Sequence, residues 1–199
     1  MAALEAHPLV VDVRRAALLA LLNACCFGLE GTPGVPTLLE AIPLVLAALR
    51  AFPTDLDVQE YGSKSLTKMC KMDASVAEAV AAAGALGLFI KALNLDITDD
   101  DTCIAAVVAI GAIALAPAAL PQASVGIDSV VRALRHHEKN SMFAEAACKT
   151  LGIYLRYAAT RERALRGCAD FAISATAAKH STDAAVKKAA EDALQDPQA

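Results

Sequence analysis

Aromatic residues are scarce in this chain of 199 residues: tryptophan is absent, and Phe and Tyr together make up 4%. Strands favour aromatic and β-branched side chains, whereas alanine, present here in 46 copies, is the strongest helix former. Disorder is disfavoured as well, because apolar residues make up 56% of the chain and disordered segments are poor in them. The composition therefore predicts an all-α protein.

Positive charge is also in short supply. Eighteen Lys and Arg residues stand against 22 Asp and Glu residues, for a formal net charge of −4. Nucleic-acid binding needs a basic surface, so nucleic acid is not an expected partner. The six cysteines lack CxxC spacing, which indicates reduced, buried thiols in a cytoplasmic protein; they are Cys25, Cys26, Cys70, Cys103, Cys148 and Cys168.

Two segments resemble membrane-associated sequences. Ala16–Leu22 is an apolar run before Cys25, as in a lipoprotein leader, but Glu5 and Asp12 neutralise the basic residues in front of it. Thr102–Ile127 carries no charge, yet it contains two prolines, which a membrane-spanning helix of about 20 residues rarely has. We expect both segments to be helices of a protein core, and we expect no membrane partner.

One pattern recurs along the chain at intervals of about 42 residues. Each copy has an apolar or small residue at every fourth position, which places these residues on one stripe of a helix. The small residue in the middle allows a neighbouring helix to approach closely. The copies of this stripe are Val13/Ala17/Leu21, Val58/Gly62/Leu66, Thr102/Ala106/Ile110, Phe143/Ala147/Leu151 and Val186/Ala190/Leu194.

Glycines at 84, 126 and 167 keep the same period. Each follows a short helical segment and precedes an apolar one. Glycine adopts the left-handed backbone conformation that ends a helix, so we expect that conformation at all three positions.

These markers predict a unit of three helices. The predicted first helices are Ile42–Arg50, Ala85–Asn94, Ile127–His136 and Cys168–Lys179. Longer second helices are predicted to start near the N-cap residues Thr54, Thr98, Asn140 and Thr182, with Thr54 and Asp57 spaced as a capping box. A third helix follows, as at Asp73–Ala83, and it should be short or bent where prolines occur, at Pro33, Pro36 and Pro121.

A unit of about 42 residues in three helices resembles the armadillo repeat. The amino-acid sequence of Val58–Leu66 looks most like the armadillo segment of leucine-rich-repeat kinases and of multi-repeat proteins of algae and protists. The resemblance implies a right-handed α-α superhelix, an armadillo-like solenoid of about four repeats. The predicted repeats are 1–41 (partial), 42–84, 85–126, 127–167 and 168–199 (partial).

The stack of repeats is incomplete at both ends in this prediction. The first repeat lacks its first helix, and the last lacks its third. The N-terminal helix carries apolar residues on more than one face, among them Leu18, Leu19 and Leu22. Because solenoid ends normally carry polar caps, self-association through this end, or a place within a larger solenoid, is expected.

Motifs for catalysis and metal binding are missing: there is no GxSxG, P-loop, HExxH or dinucleotide fingerprint. An acidic loop from Asp96 to Asp101 departs from the EF-hand pattern, because Asp101 stands where glycine is needed. The neighbours His136 and His137 point in different directions, and the positions of His7, His137 and His180 are equivalent in the repeats, which favours a packing role. We expect no enzyme activity, metal or cofactor.

Charge is distributed unevenly between the repeats. Segment 127–167 has eight basic and four acidic residues, whereas segment 85–126 has one basic and four acidic residues. The resemblance implies that the third helices line a concave groove for partners, and arginine and tyrosine are favoured interface residues. We therefore predict a partner-binding strip, against the alternative of an ordinary solvated face. Its residues are Arg156, Tyr157, Arg161, Arg163 and Arg166.

The sequence thus predicts a non-enzymatic scaffold or adaptor that binds a protein or an acidic peptide in a solenoid groove. The asparagine ladder of the best-known armadillo grooves is missing, so recognition of nuclear signals is not expected. Three alternatives stay open: a regulatory armadillo segment of a larger kinase-like or multidomain protein, an enzyme on a helical-repeat frame, and a membrane protein.

Overall fold

The protein is all-α over the residues that the computed structural model describes, which are 10–27, 35–95 and 99–195. The helices are α1 (Val11–Phe27), α2 (Val35–Ala51), α3 (Leu56–Met72), α4 (Ala74–Ala82), α5 (Ala85–Leu95), α6 (Asp100–Ala114), α7 (Leu120–Ala123), α8 (Ile127–His136), α9 (Ser141–Arg156), α10 (Ala158–Arg166), α11 (Ala169–Lys179) and α12 (Ala184–Leu194). Two short 3₁₀ turns, Pro117–Ala119 and Ser124–Gly126, flank α7.

The predicted second helices, here called the central helices, are α1, α3, α6, α9 and α12. They pack side by side in chain order: α1 on α3, α3 on α6, α6 on α9 and α9 on α12. The first helices α2, α5, α8 and α11 also contact one another in order. The same arrangement recurs in the third position, where α4 contacts Pro117–Ala119 and α10 contacts the segment from Leu120 to Gly126.

The predicted stripe explains why the central helices pack this way. Its members in α3, α6 and α9 are all buried, so that each helix closes the apolar flank of the next. At the last copy Val186 and Ala190 are buried, but Leu194 is exposed because Ala193 takes the inward position. In the first copy, on α1, Val13, Ala17 and Leu21 are only half-buried. The prediction of a buried stripe is therefore confirmed in the middle of the chain, holds only in part on α1 and fails at Leu194.

An aspartate or asparagine N-cap starts each of the later central helices. Asp55, Asp99, Asn140 and Asp183 are the N-caps of α3, α6, α9 and α12, and each accepts a hydrogen bond from the backbone N–H three residues on. The prediction is confirmed at Asn140. It is wrong by one residue at Thr54 and Thr182, where the neighbouring aspartate takes the extended backbone of the cap; Thr98 lies outside the described residues.

Helix α2 departs from the predicted first helix Ile42–Arg50. It starts at Val35 and runs through Pro43, so the predicted repeat boundary at 41/42 falls inside it. Pro36 lies in the first turn, where no backbone N–H is needed. Pro43 cannot donate to the carbonyl of Leu39, but both residues are exposed, where water can replace the missing donor, and the helix continues. Pro33 lies outside the described residues.

The third segments follow the prediction more closely. Helix α4 is Ala74–Ala82, with Asp73 as its N-cap, within one residue of the predicted Asp73–Ala83. Near Pro121 the helix is reduced to one turn between two 3₁₀ turns, which confirms the predicted interruption.

Acid is expected to weaken these helix starts. Hydrogen bonds from Arg15 and from the backbone N–H of Val58 hold the pKa of Asp55 below its ordinary value, and backbone N–H bonds do the same for the pKa of Asp183. A carboxylate with a lowered folded pKa stabilises the fold above its unfolded pKa of about 4 and loses that contribution as the pH falls.

The urea midpoint should therefore be steady down to about pH 5 and fall between about pH 4 and pH 2. The variant D55N/D183N cannot be protonated at these positions and should show a shallower fall. An identical fall in both proteins would contradict the assignment of the acid sensitivity to these caps.

The predicted left-handed glycines are only partly correct. Gly84 has a φ of +77°, as expected, but Gly126 and Gly167 have φ values of −76° and −77°. After α10 the left-handed position is occupied by Cys168, with a φ of 59°. Cys168 directly precedes α11 just as Gly84 directly precedes α5, so the equivalent positions are 84 and 168.

Two substitutions with opposite expected effects test this backbone assignment. A Cβ at Gly84 would meet no atom within 4 Å, so G84A should lose about 1 kcal/mol through backbone strain alone. C168G should gain about 0.5 to 1 kcal/mol because it relieves the same strain. The control C168A keeps the strain and removes the thiol. Urea denaturation measures all three, and a C168A variant as stable as C168G would show that the thiol matters and the backbone does not.

Candidate protein-interaction surfaces

The predicted arginine strip lies at the junction of α9 and α10. The chain reverses there over one residue, since Tyr157 is extended and serves as the N-cap of α10. The hydroxyl of Thr160 donates to the carbonyl oxygens of Tyr154, at 2.8 Å, and Tyr157, at 3.2 Å, which fixes this turn. The turn leaves Tyr157 exposed, beside the exposed Arg156 at the end of α9.

The other arginines of the strip are on α10. Arg163 and Arg166 are exposed, and Arg161 is half-buried. A nitrogen of Arg163 lies 3.9 Å from a carboxylate oxygen of Asp128, and one of Arg166 lies 3.8 Å from Glu162. Such exposed pairs contribute little to stability, so both side chains can exchange these partners for others. The structure thus places the predicted residues on one short stretch of surface.

A second surface, which sequence reasoning missed, runs across the central helices. It consists of the residues nine, thirteen and sixteen positions after each N-cap: Lys64, Lys68 and Lys71 on α3, Val108, the buried Ala112 and the C-cap Leu115 of α6, and Lys149, Ile153 and Arg156 on α9. We call it the central-helix face. Counting from Asp55, Asp99 and Asn140 would have revealed it, because these offsets share one side of a helix.

Charge on the central-helix face is arranged in bands. Helix α3 contributes only lysines, α6 only apolar residues, and α9 two cations and an isoleucine. Lys64 pairs with Glu60, and Lys149 pairs with Glu145 at 2.5 Å. Within the described part of the chain, Lys68, Lys71 and Arg156 have no carboxylate oxygen within 4 Å, so their charges are available to a partner.

A pocket of about 150 Å³ opens on this face between α6 and α9. Its walls are mainly apolar, and its lining includes Lys71, Val108, Leu115, Ala146, Lys149 and Ile153. Thr150 also lines it, but its hydroxyl already donates to the carbonyl of Val107 at 3.2 Å. Helices α6 and α9 approach closely beside the pocket, and the absence of a side chain at Gly111 allows this approach. A Cβ at that position would lie only 2.6 Å from the Thr150 hydroxyl oxygen.

Of the three histidines predicted to have packing roles, His137 is buried, stacks on Phe143 with ring centroids 4.4 Å apart, and has its Nδ1 2.6 Å from a carboxylate oxygen of Asp100. His180 is half-buried, with its Nε2 2.8 Å from the carbonyl oxygen of Glu138, and His7 lies outside the described residues. The ring of His137 therefore ties α9 to the start of α6. The Nε2 of His137 is itself buried, so this His–Asp pair presents no nitrogen to a substrate.

The described residues contain no group of three or more His, Cys, Asp or Glu side chains placed to hold a metal ion. All six cysteines are free. Burial raises the pKa of Cys70 and of Cys148 to about 12, and it also raises the pKa of Cys25, so these thiols are poor nucleophiles. The prediction of buried thiols is wrong for Cys26 and Cys168, which are exposed.

The segments that resembled membrane sequences are helical in the structure. Over the described ranges no single helix is long and apolar enough to cross a membrane. Two helix pairs reach the required length together, and they are bent by 75° and 109° at their breaks.

Comparison with known proteins supports the fold class. No family model matches the chain, and no curated protein matches it. A crystal structure of an engineered protein, solved by a structural genomics consortium, is similar with a TM-score of 0.54 and 18% sequence identity. The match covers 93% of this chain and 90% of that one. At this identity the similarity concerns the fold alone.

Proposed function

We propose that this protein is a non-enzymatic, cytoplasmic scaffold whose helical units form a right-handed, armadillo-like solenoid that binds another protein on its exposed faces. The observation that carries the proposal is the ordered packing of equivalently capped central helices, α3 to α6 to α9 to α12. Stacked units bury their apolar stripes against each other and leave a long surface for recognition.

The charges of the α9–α10 junction support an acidic partner. Arg156, Arg163 and Arg166 are exposed there beside Tyr157, and arginine and tyrosine are frequent anchors of protein interfaces. Opposite charges across an interface increase the rate of association and exclude partners of the wrong sign.

The test is affinity capture from the source cell, followed by binding of the purified partner to variant proteins. The variant R156E/R161E/R163E should weaken binding of the main partner by about tenfold or more. The control K91E/R135E/K139E makes the same change of charge at exposed residues outside the junction and should bind as the wild type does. A partner list that the R156E/R161E/R163E variant retains in full would exclude the arginine strip.

A further inference from the structure

The central-helix face combines an apolar strip with charge on both sides. Leu115, the C-cap of α6, is 52% exposed and Val108 is half-buried, although α6 lies in the middle of the described central helices. Lys68 and Lys71 lie on the α3 side of this strip, and Lys149 and Arg156 lie on its α9 side. Lys149 is paired with Glu145, but the lysine is exposed and such a pair exchanges partners. An apolar strip between two cationic ones favours a ligand with an apolar centre and acidic flanks.

The pocket between α6 and α9 sets the size of the apolar group. An apolar cavity of about 150 Å³ accommodates a benzene-sized group. The Thr150 hydroxyl is already hydrogen-bonded, and Ala146 and Ile153 contribute only carbon atoms from their side chains, so the pocket favours a hydrocarbon side chain over a polar one. Both lysines that line it, Lys71 and Lys149, are exposed and can follow a ligand that enters.

Resting on the scaffold function proposed above, we infer that the central-helix face binds an acidic peptide segment of a partner protein, which inserts one leucine or phenylalanine side chain between α6 and α9 and sets carboxylates beside Lys71 and Lys149. Binding does not bury the charged groups of the peptide, because its carboxylates lie beside the exposed ends of the lysines. Its affinity therefore depends on salt, since exposed charges are screened.

A displayed library of random 12-residue peptides tests this inference directly. The library is selected on the full-length protein, and the enriched peptides are synthesised and measured by fluorescence anisotropy. The expected peptides carry Leu or Phe flanked by Asp or Glu. Replacing that Leu or Phe with Ser, or the acidic residues with their amides, should each weaken binding by about tenfold.

Variants of the protein test whether the peptides bind at the central-helix face. K71E/K149E should weaken binding by about tenfold or more, and so should A146F, which fills the pocket from a half-buried position. A146M repeats the pocket test with a more adaptable side chain, and a thermal melt of each variant shows whether it is folded. The control K91E/R135E has the same charge change on other helices and should leave the affinity unchanged.

The outcomes separate this inference from the proposed function. If the peptides bind K71E/K149E and the pocket variants with unchanged affinity, the inference is overturned. If R161E/R163E/R166E then abolishes their binding, the scaffold function stands. A library that yields no binder overturns the inference, while the scaffold function is decided by the affinity capture described above. Competition by single-stranded oligonucleotide at the same lysines, or a dimer that only K71E/K149E dissociates, identifies a different occupant and also overturns the inference.

Discussion

Replacing Tyr154 with alanine is expected to cost about 4 kcal/mol of unfolding free energy, since it removes a large, fully buried side chain. Tyr154 lies on α9, and its hydroxyl donates to the carbonyl of Ala123 at 2.9 Å. It therefore joins one unit to the broken third segment of the unit before it. Burial raises the pKa of this hydroxyl well above its ordinary value, so it is protonated and donates its hydrogen bond at neutral pH.

Y154F separates the hydrogen bond from the packing. It keeps the ring and leaves the Ala123 carbonyl without its donor, so it should cost about 1 to 2 kcal/mol. Y157A, three residues along the chain at an exposed tyrosine, is the matched control and should change stability by less than about 0.5 kcal/mol. Urea denaturation gives all three values. A Y154A variant that loses no more than Y157A would contradict the place of Tyr154 in the core.

Replacing Gly152 with valine is expected to separate α12 from α9. A Cβ at position 152 would lie 2.7 Å from the Cβ and 2.8 Å from the Cα of Ala193, so no side chain can be accommodated without moving backbone. We expect the docking of α11 and α12 to lose about 3 kcal/mol. Because stacked units contact only their neighbours, this loss should remain local.

Hydrogen exchange measures that locality. Amides of α11 and α12 should exchange about a hundredfold faster in G152V, while those of α3 and α6 keep their protection. The control G87A makes a similar change in α5 at a site with nothing within 4 Å, and it should stabilise the protein by about 0.5 to 1 kcal/mol. Equal acceleration in every helix of G152V would show one cooperative core and would contradict the stacking of separable units.

The helices could be predicted because the residue pattern that causes each of them lies within that helix. The four-residue spacing of Val58, Gly62 and Leu66 needs no knowledge of the neighbours to indicate one buried stripe. The same holds for the first helix at Ile127–His136, which the structure reproduces to the residue.

Details that depend on competition between adjacent residues could not be predicted. Thr54 and Asp55 are both good caps, and the choice depends on which residue takes the extended backbone once α3 is packed. Pro43 signals a helix end locally, yet α2 continues through it on an exposed side of the helix, where water can replace the missing donor. At Gly167 the period of the glycines was misleading by one residue, since the strained position is Cys168.

Of the two candidate surfaces, one could be predicted from the sequence and the other could not. The arginines of α10 are visible as a cluster of charge in the sequence, so the exposure of Arg163 and Arg166 could be predicted, whereas Arg161 is half-buried. The central-helix face could not, because Lys71, Val108 and Lys149 lie far apart in the sequence and share a pocket only after α3, α6 and α9 have packed. Which side of a helix remains uncovered is a property of the stack.

The distance between equivalent positions on the central helices tests the stacked arrangement most directly. Pairs of spin labels, introduced as non-natural amino acids because the chain has six cysteines, can be placed at the four equivalent positions Leu19, Lys64, Lys149 and Asp192. Helices packed side by side advance by about 10 Å per unit. The separations should therefore rise from about 20 Å for 64–149, through about 30 Å for 64–192, to about 40 Å for 19–192. A 19–192 distance no longer than the 64–149 distance would mean that the helices close into a bundle, and it would contradict the account.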